Sequence, residues 1–143
     1  MGGSVNPEGY LEIINSVNVG NSISLGQEVE KHARKRPGHP AFLWQEQVIS
    51  YEEFNRQANR YASFFNSQGY KKGDVVALLM ENCPEYLMVV TGLAKIGVIT
   101  ALINTGVRGE VLAQGINLVE ARSMIIGSNF IEIYQTIAER LRF

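Results

Sequence analysis

From residue 75 onward the sequence repeats one pattern three times: an unbroken apolar run, then a segment with helical spacing. The apolar runs are VVALLM at 75–80, VITALI at 98–103 and SMII at 123–126, and the helical segments cover 84–96, 109–121 and 129–141. Runs apolar on both faces mark strands that helices cover from either side. Strand and helix in alternation make those strands parallel, with right-handed crossovers. The expected class is α/β, layered helix, sheet, helix, around a partial parallel sheet.

Ahead of this repeat the signals are local. Ser24 and Gln27 form a capping box, and Leu25, Val29 and Ala33 share one helical face until Pro37. Residues 41–44 and 47–51 read as the strands of a short N-terminal hairpin turning at Gln45 and Glu46. Ser50 and Glu53 make a second capping box. Phe54, Ala58, Tyr61, Ala62 and Phe65 then form a helical stripe that stops at Gly69, a residue suited to a left-handed end. Residues 1–23, rich in Gly, Asn and Ser, read as a flexible lead-in with one apolar patch at 10–14 suited to a short helix. Residues 24–143 are then a single unit.

Three parallel strands leave two apolar edges open, which natural sheets avoid. The helix expected at 84–96 is apolar around most of its circumference (Tyr86, Leu87, Met88, Val89, Val90, Leu93, Ala94, Ile96) and asks for more cover than a chain of this size readily supplies. Both features point to missing strands, supplied by the remainder of a longer chain or by another subunit. Truncation is the simpler expectation.

Composition narrows the function. With 13 basic and 14 acidic side chains the formal net charge is -1, unlike a nucleic-acid binder. No apolar run approaches the roughly 18 residues of a membrane span. The single cysteine, Cys83, cannot form an internal disulfide, so a reducing compartment and the cytoplasm are expected.

Individual residues carry little catalytic signal. His32 and His39 lack partners at a metal-ligand spacing, and neither G-x-S-x-G nor a glycine-rich phosphate motif occurs. No catalytic residue and no metal site are therefore expected. The basic run at 31–36 falls in the last turns of a helix, where positive charge complements the helix dipole, and residues 71–74 read as an exposed turn. Cys83 stands near a helix start that Asn82 and Glu85 would cap, and reads as a packed thiol. One loop invites a binding role. Residues 104–109 follow the second parallel strand and open the next helix, so amides there with Asn104, Thr105 and Arg108 would hold an anion. The plainer reading makes Asn104 and Thr105 turn-formers and leaves Arg108 in water.

Taken together, SLGQEVEKHARKRPGHPAFLW, ISYEEFNRQANRYASFFNSQGYKKGDVVALLMENCPEYL and GLAKIGVITALINTGVRGEVLAQGINLVEARSMIIG resemble, in order, the N-terminal part of the adenylate-forming enzymes. That superfamily includes acyl-CoA synthetases, luciferases and peptide-synthetase adenylation domains. ALINTGVRGEVL is most similar to the fatty-acid transport protein and very-long-chain acyl-CoA synthetase branch, with Gly106 where that branch commonly has Asn. The resemblance implies a parent, part of a larger adenylation domain, that joins a fatty acid to coenzyme A. ATP and the carboxylate give an acyl-adenylate with magnesium assisting, and coenzyme A then forms the thioester. The phosphate loop, the adenine and ribose motifs and the C-terminal lid lie beyond this stretch in family members. The chain is therefore expected to bind no cofactor and catalyse nothing alone, and to pair through its sheet edges with the rest of the synthetase. The parent is expected in the cytoplasm, at most peripheral to a membrane. A free-standing module that dimerises through those edges is the competing expectation.

Overall fold

The protein is described by a computed structural model covering residues 24–143, so the expected lead-in at 1–23 and the short helix at 10–14 lie outside the described residues. Helix α1 (Leu25–Lys35) is followed by strands β1 (Pro40–Trp44) and β2 (Gln47–Ser50) and by helix α2 (Tyr51–Ser67). Strand and helix then alternate through β3 (Val75–Leu79), α3 (Pro84–Lys95), β4 (Ile99–Leu102), α4 (Gly109–Leu118) and β5 (Ser123–Ile126). The described chain closes with a 3-10 turn (Ser128–Phe130), the one-turn helix α5 (Ile131–Gln135) and a second 3-10 turn (Ala138–Arg140).

Strands β1 and β2 form an antiparallel hairpin whose turn places Gln45 in the left-handed region at φ 52°. The remaining strands form a parallel sheet in the order β4, β3, β5. Central β3 is buried on both faces. Its Ala77 and Leu79 pack with α4, Phe130 and Ile137, while Val76 and Leu78 pack with Phe65 of α2 and with Val89 and Leu93 of α3. The layered α/β class therefore holds, with α2 and α3 on one face and α4 and α5 on the other.

Local chemistry explains most boundaries. At α1 both halves of the capping box form: Gln27 N–H donates to Ser24 Oγ at 3.2 Å, and Ser24 N–H to Gln27 Oε1 at 3.0 Å. At α2 only half does. Glu53 N–H donates to Ser50 Oγ, but the Glu53 carboxylate is taken by Arg56 and Gln57, so the second capping box is incomplete. Helix α2 ends with Gly69 at φ 76°, Tyr70 N–H bonded back to Phe65 O at 3.1 Å, and the two rings packed edge to face.

Three further expectations need correction. Helix α3 starts from Cys83, not Asn82, and no side chain caps it. Within the chain α2, α1 and the sheet enclose Met88, Val89, Thr91 and Leu93, while Leu87 stays exposed and Tyr86, Val90 and Ile96 only half-buried, so the demand of α3 for further cover stands. Helix α4 stops at Leu118, three residues short, because Glu120 takes a left-handed φ of 49°. The single helix expected over 129–141 is broken. Thr136 Oγ1 donates to Ile133 O at 2.7 Å, and the tighter bonds from Ile137 to Tyr134 and from Arg140 to Ile137 replace the α pattern. The break still lets Phe130 and Ile137 enter the core with Ala77 and Leu79.

Candidate functional site

In open parallel sheets ligands gather at the carboxyl ends of the strands, where connections leave toward opposite faces. Here the chain leaving β3 turns toward α3, whereas those leaving β4 and β5 turn toward α4 and α5, so the end of β3 is flanked by diverging loops. Glu81 follows β3, residues 103–108 follow β4, and Gly127, Ser128 and Asn129 follow β5. Asn129 Nδ2 donates to Glu81 Oε1 at 2.6 Å, which ties the β5 loop to the β3 loop. Sequence reasoning missed this clamp. Its only trace is that each residue is among the first polar groups after an apolar run, and the pairing spans 48 positions.

Asn104, Thr105 and Arg108 do come together in one loop, and the side chains of Asn104 and Arg108 bond to the loop's own backbone, the Thr105 carbonyl included. Asn104 Oδ1 accepts the Gly106 N–H at 2.8 Å, and Asn104 O accepts the Val107 N–H at 3.3 Å. The Arg108 guanidinium donates to the carbonyls of Thr105 and, at 2.8 Å, Val107. Arg108 is also the N-cap residue of α4, without a side-chain cap bond. The arrangement matches the turn-forming reading of Asn104, and Arg108, which is exposed as expected, also braces the backbone of the loop.

Cys83 lines an apolar cleft of about 350 Å³ with Phe42, Leu43, Trp44, Pro84 and Leu87. Burial pushes its thiol above the ordinary range, and the neighbouring Glu85 adds to this, so the helix start does not activate it. The basic run behaves as the plain reading has it. His32, Arg34 and Lys35 lie in the last turn of α1, Lys31 pairs with Glu28 at 3.0 Å, and Arg36 stacks over the Tyr51 ring. Among the described residues no group of three His, Cys, Asp or Glu could hold a metal ion. No described helix is long and apolar enough to cross a membrane.

The most deeply set charge is one the sequence did not flag. Lys95, whose side chain is 7% exposed, donates to Glu30 Oε1 at 2.6 Å and to Asn55 Oδ1 at 2.8 Å. The Lys95 hydrogen bond holds the Glu30 carboxyl below its ordinary range. These bonds join α3 to α1 and α2 across sequence separations of 65 and 40 residues, beyond the reach of any local pattern.

Comparison with known proteins supplies what these groups do not. The family model described as AMP-binding enzyme matches residues 29–142. Human long-chain fatty acid transport protein 6 is 30% identical over 127 residues, covering 85% of this chain and 20% of that protein. The crotonobetaine/carnitine–CoA ligase of Proteus mirabilis is 44% identical over 87 residues, 61% of this chain and 17% of the ligase. A solved Mycobacterium tuberculosis fatty acyl CoA synthetase superposes with a TM-score of 0.75 at 26% identity, covering 80% of this chain and 23% of that one. The chain thus spans about a fifth of the length of the curated relatives it matches.

Proposed function

This chain belongs to the AMP-binding enzyme family, and from that premise we propose that it is the N-terminal segment of an ATP-dependent long- or very-long-chain fatty acyl-CoA synthetase. The parent would form an acyl-adenylate from the fatty acid and ATP, with magnesium, and pass the acyl group to coenzyme A. This segment contributes structure. The observation that carries the reading is the three-stranded sheet whose outer strands β4 and β5 are, among the described residues, each bonded only to β3, in a chain matching the family over nearly its whole described length. The self-bonded loop at 104–108 supports a shaping role for Asn104, Thr105 and Arg108 at the strand ends, since an anion would have to displace bonds the loop already makes.

Mixing tests it. The chain alone, given palmitate, ATP, magnesium and coenzyme A, is expected to release no pyrophosphate. Added to the P. mirabilis ligase lacking its matched 87 residues, it is expected to restore acyl-adenylate formation on that ligase's own substrate. Pyrophosphate release by the chain alone, or failure to restore the shortened ligase, would count against the proposal. The dimerising module is favoured by the same free edges, and it predicts a discrete dimer by sedimentation, with no dependence on a ligase fragment.

A further inference from the structure

Among the described residues the sheet has two free edges, and the way it is wound distinguishes them. The β4 edge is the greasier to look at, with Ile99 54% and Leu102 56% exposed, and exposure alone would pick it as the docking edge. The connections say otherwise. From β4 the chain crosses the Ala77/Leu79 face through α4 and arrives beyond β3 as β5. From β3 it crosses the opposite face through α3 and moves the other way, to β4. Crossovers of one hand advance in one direction on one face and in the reverse direction on the other, and both of these obey a single hand.

The segment after β5 returns to the first face. Phe130, Ile133, Ile137 and Leu141 all pack into the core that α4 covers. It also completes the return journey: Asn117, in the last turn of α4, donates from Nδ2 to Arg140 O at 2.8 Å and accepts the Arg142 N–H on Oδ1 at 3.0 Å. Arg140 and Arg142 thereby lie at the amino end of the sheet, beside the approach to Ser123, and Leu141 is already extended at φ -83°, ψ 150°.

We infer that the free edge of β5, and not that of β4, seats the next strand of the synthetase, an apolar strand running parallel to β5. The donor's identity rests on the synthetase reading; the choice of edge rests on the winding alone. A second feature fits the same occupant. Alongside β5 on its Ser123/Ile125 face runs a groove of about 540 Å³, bounded by Phe64, Phe65, Tyr70 and Arg122. Alternate side chains of an added strand would fill it, so valine, isoleucine or leucine is expected at those positions.

Backbone amides report the outcome. Gly127 N–H donates inward to Leu79 O, and with Ala77 opposite Met124 and Leu79 opposite Ile126 the alternation of a strand turns the Ile125 N–H inward and those of Met124 and Ile126 outward. On the other edge Ile99 and Ile103 donate inward to Asp74 O and Leu78 O, which leaves Thr100 and Leu102 outward. The test extends the full chain past Phe143 with a short Asn-Gly linker and a valine- and isoleucine-rich strand of about six residues, and follows hydrogen exchange by NMR. Exchange at Met124 and Ile126 is expected to slow roughly tenfold or more, with Thr100 and Leu102 unchanged. Slowing at Thr100 and Leu102, or at neither pair while Ala77 and Leu78 stay protected, overturns the inference. If Ala77 and Leu78 lose protection, the same strand added as a free peptide to the unextended chain decides on the same amides. Failure of the synthetase reading shows elsewhere, as pyrophosphate release by the chain alone or no rescue of the shortened ligase.

Discussion

Lys95 shows what a single buried charge does in this molecule. Its stem lies against Gly26 while its ammonium joins three helices through Glu30 and Asn55. Lys95→Met keeps the stem and removes the donors, and urea unfolding at pH 7 should show a loss of about 1–2 kcal/mol. The pH dependence has a definite sign. Glu30 titrates lower in the folded protein than its ordinary value of 4.5, so its contribution is present above that pH and disappears as the pH falls through the folded value. Because the Glu30 side chain is partly exposed, the difference between the native chain and Glu30→Gln should be under about 1 kcal/mol at pH 7, and should shrink in unfolding curves as the pH is lowered below 4.5. Thr91 is the opposite case: its hydroxyl is fully buried and Oγ1 has no partner among the described residues. Thr91→Val should therefore raise stability by about 1 kcal/mol, and a fall in the urea midpoint would contradict this.

At the scale of elements, the crossing of α2 and α3 depends on one glycine. A Cβ on Gly92 would lie 2.6 Å from the Ala58 carbonyl oxygen and 3.1 Å from the Ala62 nitrogen, backbone that cannot move aside. Gly92→Ala should cost about 2–3 kcal/mol, with Phe65 and Leu93 losing contact as the helices part. Gly115 of α4 faces open space, and Gly115→Ala should instead stabilise by about 0.5–1 kcal/mol through helix propensity. Thermal unfolding of the pair checks both signs. Caps and terminators were readable here because they act within a turn: Ser24 with Gln27, and Gly69 with Tyr70 and Phe65, are neighbours in sequence. The missed features are competitions. Glu53 chose Arg56 and Gln57 over the backbone, and the segment at 129–141 gave up α geometry at Thr136 while Phe130 and Ile137 filled one core.

At the scale of the whole molecule, two apolar layers close on β3 while β4 and β5 remain sheet borders. An isolated chain of this kind should associate weakly as its concentration rises, without settling into one stoichiometry. Leu102, exposed at the end of β4, is the place to blunt that tendency. Leu102→Lys should lower the weight-average mass seen by sedimentation at high concentration and move the urea midpoint by less than about 1 kcal/mol. An unchanged sedimentation profile would remove the β4 edge from the account of association.

Apolar periodicity, caps and turn glycines were enough to establish the α/β class, the order of the elements and the open edges, because each of these is written in neighbouring residues, and the family likeness rested on the resemblance of whole stretches of sequence. The order β4, β3, β5, the face on which each helix lies, the Lys95 and Asn129 contacts and the self-bonded loop at 104–108 were decided in three dimensions. They depend on where separate elements meet. A helix crossing a sheet sets distances between residues tens of positions apart, and no local pattern encodes which lone pair a buried ammonium will find.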